Sequence, residues 1–273
     1  MTEGEPAAIT WHHGIMARWW AEFVEPEPDE LAWYKAAIER FGQPALDLGC
    51  GAGRLLVPLL REGLDLDGAD VSKDMLAQAT RLAADAGTQP RLYAQAVHQL
   101  QTDRRYRTVF ACGVIGIGGT RAQDLAGFRR VYDRLEPGGA FLIGHTLPTA
   151  GQDADRWARW LPGRRGTLPR EWDDDWERRT AADGDELGLL VRLADFDPLD
   201  QRLAYEMRAR IWRDGAVVAE EAFRLVENIY FAQELLLMLE VAGFRDLDMV
   251  GAYGGAPASA DDPVIVIIGR RPA

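Results

Sequence analysis

The chain is poor in lysine and in cysteine. Of its 31 basic residues only Lys35 and Lys73 are lysines, and neither sits in an apolar stretch. A Schiff-base mechanism, which needs a lysine of lowered pKa, therefore has few candidates. Two cysteines, Cys50 and Cys112, are too few for a disulfide framework or a multi-cysteine zinc site. Both are expected to be reduced, in a cytoplasmic setting, and no metal site is expected. Basic charge is also short: 31 Lys and Arg stand against 43 Asp and Glu, a net charge of −12. Binding to nucleic acid or an anionic membrane needs a basic face, so neither partner is expected. Long apolar runs are missing as well. The stretch 264–268 is among the longest and is far too short to cross a bilayer. The opening MTEGEPAAIT is acidic and has no apolar run, so no signal peptide is expected.

What remains is an ordinary globular composition, 47% hydrophobic and 27% charged over 273 residues. That length suits one large domain, or one domain with an insertion, able to bury about 75% of its unfolded surface. Residues 1–43 are aromatic, with Ile15, Trp19 and Phe23 and then Leu31, Tyr34 and Ile38 at helical spacing. Glu25-Pro26-Glu27-Pro28 separates two helices, and Asp29 is expected to cap the second. Residues 44–147 alternate apolar runs at 45–48, 64–69, 90–93, 108–112 and 140–143 with helical patterns at 54–61, 73–86 and 121–135. This predicts βαβ units and a parallel sheet. Glu136-Pro137-Gly138-Gly139 turns the chain into the fifth strand.

Residues 148–229 change character. Trp157, Trp160, Trp172 and Trp176 lie among charges, and a three-stranded meander follows, with alternating apolar residues from Leu187, Leu203 and Val217 onward. Asp214-Gly215 marks a hairpin. Residues 230–242 predict a helix stopped by Gly243, and 244–250 and 264–269 predict two last strands.

The most informative stretch is Asp47-Leu48-Gly49-Cys50-Gly51-Ala52-Gly53-Arg54. Glycines between a strand and a helix allow a tight turn and a ligand's close approach to the backbone. Asp70 ends the second strand 21 residues after Gly49, where a doubly wound fold grips ribose hydroxyls. A dinucleotide fingerprint would place its last glycine at Arg54, so a nicotinamide oxidoreductase is disfavoured.

The segment 47–53, together with Gly68-Ala69-Asp70-Val71-Ser72-Lys73-Asp74-Met75-Leu76 and Leu135-Glu136-Pro137-Gly138-Gly139, resembles the class I S-adenosylmethionine-dependent methyltransferases. His12-His13-Gly14, the stretch from Ala17 to Phe23, Asp183-Gly184-Asp185-Glu186 and Trp212-Arg213-Asp214-Gly215 are similar to an uncharacterised bacterial small-molecule group of that family. The resemblance implies an α/β Rossmann-like sheet of seven strands, the last antiparallel, and the residue pattern adds an antiparallel meander insertion and an N-terminal helical lid. The implied division is a lid at 1–43, a cofactor-binding domain at 44–147 and 230–273, and a cap subdomain at 148–229. The implied cofactor is S-adenosylmethionine, lined by Asp47, Gly49, Cys50, Gly51, Gly53, Arg54, Asp70, Val71, Met75 and Cys112. Family members often carry an acid after the third strand near the adenine; Ala96 stands there, leaving Gln95 or the backbone at Ala96 and Val97 to make that contact.

The expected activity is N- or O-methylation of a small molecule. His145, at the end of the fifth strand, and His12 and His13, before the aromatic helix, are the candidate catalytic groups. Trp19, Tyr34, Trp157 and Trp160 are candidate acceptor contacts. The meander's apolar face must be buried against the sheet's carboxyl edge or the lid, which would place the insertion over the acceptor. A homodimer through the meander is the competing way to bury that face. The rival function is a non-catalytic S-adenosylmethionine-binding or interaction module, for which Ala96 is the best support.

Overall fold

The structure is a computed structural model that describes residues 9–148, 158–251 and 253–273. Two helices come first, α1 (Gly14–Phe23) and α2 (Pro28–Phe41). The alternating core follows: β1 (Ala45–Leu48), α3 (Leu56–Arg61), β2 (Leu66–Asp70), α4 (Lys73–Asp85), β3 (Leu92–Ala94), β4 (Tyr106–Cys112), α5 (Arg121–Arg134) and β5 (Leu135–Thr146). The insertion contributes β6 (Glu177–Thr180), β7 (Glu186–Asp197), β8 (Arg202–Arg213) and β9 (Ala216–Asn228). The chain closes with α6 (Ala232–Ala242), β10 (Arg245–Gly251) and β11 (Val264–Arg270).

The main sheet has the order β10-β11-β5-β4-β1-β2-β3. Its first five strands in sequence run parallel, and β11 lies antiparallel between β5 and β10. Strand alternation divides the core into two layers. Val109, Phe141, Ile143 and Ile267 meet Phe128 and Val131 of α5 and Leu235 and Leu239 of α6. Phe110, Leu142 and Val266 meet Tyr34 and Ile38 of α2 and Leu56 and Leu59 of α3 on the other face. Strand order reverses between β1 and β4, and there the carboxyl ends of the strands leave a crevice.

The four-stranded sheet is separate, with order β6-β7-β8-β9, all antiparallel. Asp214 and Gly215 both take positive φ, 51° and 78°, as the predicted two-residue hairpin requires. Strand β6 was not predicted: its four residues, Glu-Arg-Arg-Thr, are all exposed and carry no apolar alternation. The apolar face formed by Leu187, Leu189, Met207 and Ala209 is covered by Ile15, Met16 and Trp19 of α1. Helix α1, rather than the edge of the main sheet, therefore covers this face of the meander.

Two local expectations need correction. Glu27, not Asp29, occupies the N-cap position of α2, without a side-chain capping bond, because Pro28 fills the first helical turn, where its fixed φ and missing N–H cost nothing. Residues 136–139 bulge out of the β4–β5 pairing, which passes from Leu135 to Ala140, so the predicted turn lies within β5.

Candidate active site

A cavity of about 340 Å³ opens at the crevice. Its floor is the loop from β1 to α3. Gly49 and Gly51 adopt φ of +77° and +54°, the left-handed region that favours glycine. A Cβ on Gly49 would lie 2.2 Å from Val114 Cγ2, whereas one on Gly51 would meet nothing within 4 Å and would occupy open space. The N–H groups of Gly49 and Cys50 donate to the Ala69 carbonyl at 2.7 and 3.0 Å, tying the loop to β2.

Asp70 ends β2 beside that loop. Its Oδ2 accepts from Gly51 N at 2.9 Å and its Oδ1 from Ser72 N at 2.8 Å. A carboxylate has about four acceptor sites, so Asp70 keeps acceptor capacity for a ligand after its backbone donors are counted. Burial raises the Asp70 pKa above the ordinary range, against the pull of those backbone donors. Val71, Met75, Gln95, Ala96 and Val97 continue the lining, as do Cys50 and Cys112. Gly53 does not line the cavity. It faces α3 and α4, where a Cβ would stand 2.9 Å from Val57 Cγ2, so its part is close packing. The Gln95 amide closes on its own loop: Nε2 donates to the Gln101 carbonyl at 3.1 Å and Oε1 accepts from Gln101 N at 2.7 Å.

Asp47 and Arg54 also line the cavity. Burial pushes Asp47 up to about 8; Arg54 opposes that shift, and Asp70 and Glu30 add to it. Arg54 is held by Glu30, which is only 4% exposed, through Nη1 to Oε2 and through Nη2 to Oε1 at 2.9 Å. Cys112 Sγ and the Tyr253 hydroxyl also donate to Glu30 Oε1, at 3.0 and 3.2 Å. Burial works to raise the Glu30 pKa, but the donors from Arg54, Cys112 and Tyr253 prevail and leave it below the usual carboxylate range. Burial and the nearby Glu30 push the Cys112 thiol up to about 11, so it is an un-ionised donor. Glu30 thus staples α2 to the glycine loop and β4. Sequence reading missed it, since its partner is 24 residues away.

The roof is α1 and the segment leading into it. Thr10, His12, Trp20 and Val24 line the cavity. The Ser72 hydroxyl donates to the His12 carbonyl. Gly14 N donates to Asp74 Oδ2 at 2.8 Å, and Ile15 N to Glu221 Oε2 at 2.7 Å. Ala17 packs on Ala52 of the glycine loop and Met75 of α4. Burial, with a smaller contribution from His13, lowers the His12 pKa to about 4. Trp20 Nε1 is buried with no hydrogen-bond partner among the described residues. An orphaned donor above, open space at Gly51 below and free acceptor sites on Asp70 between them suit a nucleoside-bearing ligand.

Several sequence-predicted residues lie elsewhere. His13 is not in the cavity wall; its Nδ1 is 3.3 Å from Ser72 Oγ. His145 is also outside it, with Nε2 2.9 Å from the Tyr230 carbonyl and its pKa lowered by burial. It shares a strand face with Ile143, which points into the layer beneath α5 and α6. Trp19 is buried against the meander, and Tyr34 is fully buried with its ring 5.0 Å from Phe110. Trp160 packs on Phe196 and Phe231, at 5.1 and 6.0 Å. Trp157 lies outside the described residues. No described residue of 148–229 lines the cavity, because α1 lies between it and the meander.

The sequence reading also missed the loop after β4 and the start of α5, where Gly113, Val114, Ile117, Gln123 and Asp124 reach the cavity. Asp124 Oδ2 accepts from the Tyr230 hydroxyl at 2.7 Å and from Asn228 Nδ2 at 3.1 Å. A signal was present: Thr120 and Gln123 form a capping box that marks where α5 begins. Among the described residues no cluster of three or more His, Cys, Asp or Glu could hold a metal ion, and no helix is long and apolar enough to cross a membrane.

Comparison with known proteins bears on the same region. Residues 45–139 match a protein-family model described as a methyltransferase domain. The ubiquinone biosynthesis O-methyltransferase of Azorhizobium caulinodans is 27% identical over 227 residues, which cover 71% of this chain and 86% of that protein. Among solved structures, the CcbJ methyltransferase from Streptomyces caelestis superposes with a TM-score of 0.69 at 22% identity, over 94% of this chain and 96% of that one. CalS10 from Micromonospora echinaspora, an amino pentose methyltransferase solved with S-adenosylmethionine bound, gives a TM-score of 0.59 at 18% identity, over 89% and 91% of the two chains.

Proposed function

We infer that this chain, a class I S-adenosylmethionine-dependent methyltransferase, methylates a small molecule at nitrogen or oxygen. The observation that carries the reading is the roofed cavity, whose glycine floor, Asp70 wall and α1 ceiling suit a nucleoside-bearing cofactor. The similar proteins point the same way: one is an O-methyltransferase of ubiquinone biosynthesis and one acts on an amino pentose.

The residues divide by chemistry. Asp70 would accept from the ribose hydroxyls, the backbone at Gly49 and Gly51 would carry the methionine portion, and the backbone at Ala96 and Val97 would meet the adenine. Trp20 Nε1 offers a donor from above. Asp47 would balance the ligand's positive charge. Bound S-adenosylmethionine supplies a methyl group already activated by its sulfonium, so the protein's main task is orientation, worth up to about 7–11 kcal/mol. The α1 roof excludes water from the reacting centre. His12 is the one candidate catalytic histidine that lines the cavity. Residues 9–43 would be the roof and the meander at 177–228 the brace behind it. The acidic surface fits a soluble cytoplasmic enzyme with neither nucleic acid nor membrane as partner.

The test is methyl transfer from radiolabelled S-adenosylmethionine to a panel of catechols, phenols and amino sugars. Label in a small-molecule product supports the reading. Label appearing only in added protein or RNA overturns it.

A further inference from the structure

Three contacts to the His12 ring and one to its main-chain carbonyl position the residue. Trp11 meets the ring edge-on and Trp20 lies tilted to it, with centroids 6.4 and 5.8 Å away. The His12 carbonyl is held by Ser72. Nδ1 is 2.5 Å from Thr10 Oγ1, which also accepts from His12 N at 3.4 Å. Nε2 has no hydrogen-bond partner among the described residues, and both Thr10 and His12 line the cavity. The two ring nitrogens of a neutral imidazole are not equivalent, and the bond made by one fixes what the other can do.

We propose that Thr10 is a positioning residue that holds His12 in the Nδ1–H tautomer, so that the Nε2 lone pair faces the acceptor and receives its proton. This rests on the methyltransferase reading, and two observations favour this tautomer. With Nδ1–H as donor, Oγ1 uses its two lone pairs on His12 Nδ1 and His12 N, which is the full acceptor capacity of a hydroxyl. A lone pair at Nε2 is also attracted by the sulfonium the cavity would receive, whereas an N–H there would be repelled. The proton balance is simple. A lone pair of the acceptor oxygen or nitrogen forms the bond to the methyl carbon, the carbon–sulfur pair leaves with sulfur, and the acceptor's proton passes to Nε2 while the pair that held it returns to the oxygen or nitrogen. The second N–H stays on Thr10 throughout. Burial of the ring keeps it neutral beforehand, so Nε2 is vacant when the acceptor arrives.

The test is a long-range proton–nitrogen NMR spectrum of the full chain labelled with ¹⁵N-histidine at neutral pH, with His12 assigned by its loss in His12→Gln. Nδ1 should be the pyrrole-like nitrogen and Nε2 the pyridine-like one. In Thr10→Val the two resonances should exchange positions, and Thr10→Ser should restore them. In the wild type, replacing S-adenosylhomocysteine by S-adenosylmethionine should shift Nε2 more than Nδ1. A protonated Nε2 in the wild type, or an unchanged pattern in Thr10→Val, overturns the proposal. Calorimetric binding of S-adenosylmethionine to the same samples separates this outcome from failure of the methyltransferase reading, which would show no binding at all.

Discussion

The Ser72 hydroxyl donates to the main-chain carbonyl of His12 and accepts from Met75 N at 3.2 Å. One side chain therefore caps α4 and fastens the roof over the cavity. Ser72→Ala should cost about 1 kcal/mol of stability as a lost N-cap. It should also weaken cofactor binding severalfold, because the roof loses an anchor. Ser72→Thr should preserve most of both. Denaturant unfolding and calorimetry on the three proteins check this; equal cofactor affinity in wild type and Ser72→Ala would detach the roof from binding.

Asp70 keeps acceptor capacity after bonding Gly51 N and Ser72 N. Hydrogen bonds to a charged acceptor are worth about 1.5–3 kcal/mol each. Asp70→Ala should therefore raise the cofactor dissociation constant roughly tenfold to several hundredfold. An unchanged constant in a folded variant would move the ribose site elsewhere.

Asp47 sets the expected pH dependence. In the free protein burial holds its pKa at about 8. The folded state then keeps a proton that the unfolded chain has lost, so this group's contribution to stability falls as pH rises from the ordinary carboxylate range toward 8. A cationic ligand favours the ionised form, so binding below pH 8 should release a proton. Affinity should rise between pH 6 and 8, by at most about tenfold per unit, and then level off. Calorimetry in buffers of different ionisation enthalpy detects the released proton, and Asp47→Asn should abolish the effect.

Glu30 and Arg54 form a pair that neither partner can leave cheaply. Glu30→Gln strands a partly buried guanidinium, and breaking a buried pair in this way typically costs about 3–5 kcal/mol. Arg54 keeps some exposure, so the lower end is expected. The Glu30 pKa lies below its ordinary value, so its stabilising contribution is present above that value and fades as pH falls through the folded pKa. Thermal unfolding of wild type and Glu30→Gln should therefore converge in acid and diverge near neutrality.

The sheet, its helices and the cofactor floor were legible in the sequence because their signals are local. Glycine spacing, an acid at the end of β2 and the alternation of strand with helix all lie within one βαβ unit. What was illegible depends on pairs distant in sequence. Asp124 meets Tyr230 across 106 positions, and Ile15 is fastened to Glu221 across 206. The meander's alternation showed that one face must be covered but not by what. Trp19 resolves that, and in doing so leaves the acceptor contacts for the core. His145 failed for a related reason: a residue at a strand's carboxyl end points to one face or the other, and its two-residue offset from Ile143 sends it beneath α6. His12 carried no such ambiguity once α1 was seen to lie on Ala52 and Met75.

The central claim is that the cavity beneath α1 is built for S-adenosylmethionine. A calorimetric titration of the full chain with S-adenosylmethionine, S-adenosylhomocysteine and NAD tests it most directly. The account predicts saturable one-to-one binding of the first two, weakened by Asp70→Ala, and no binding of NAD. Preferential binding of NAD, or binding of S-adenosylmethionine unaffected by Asp70→Ala, would contradict it.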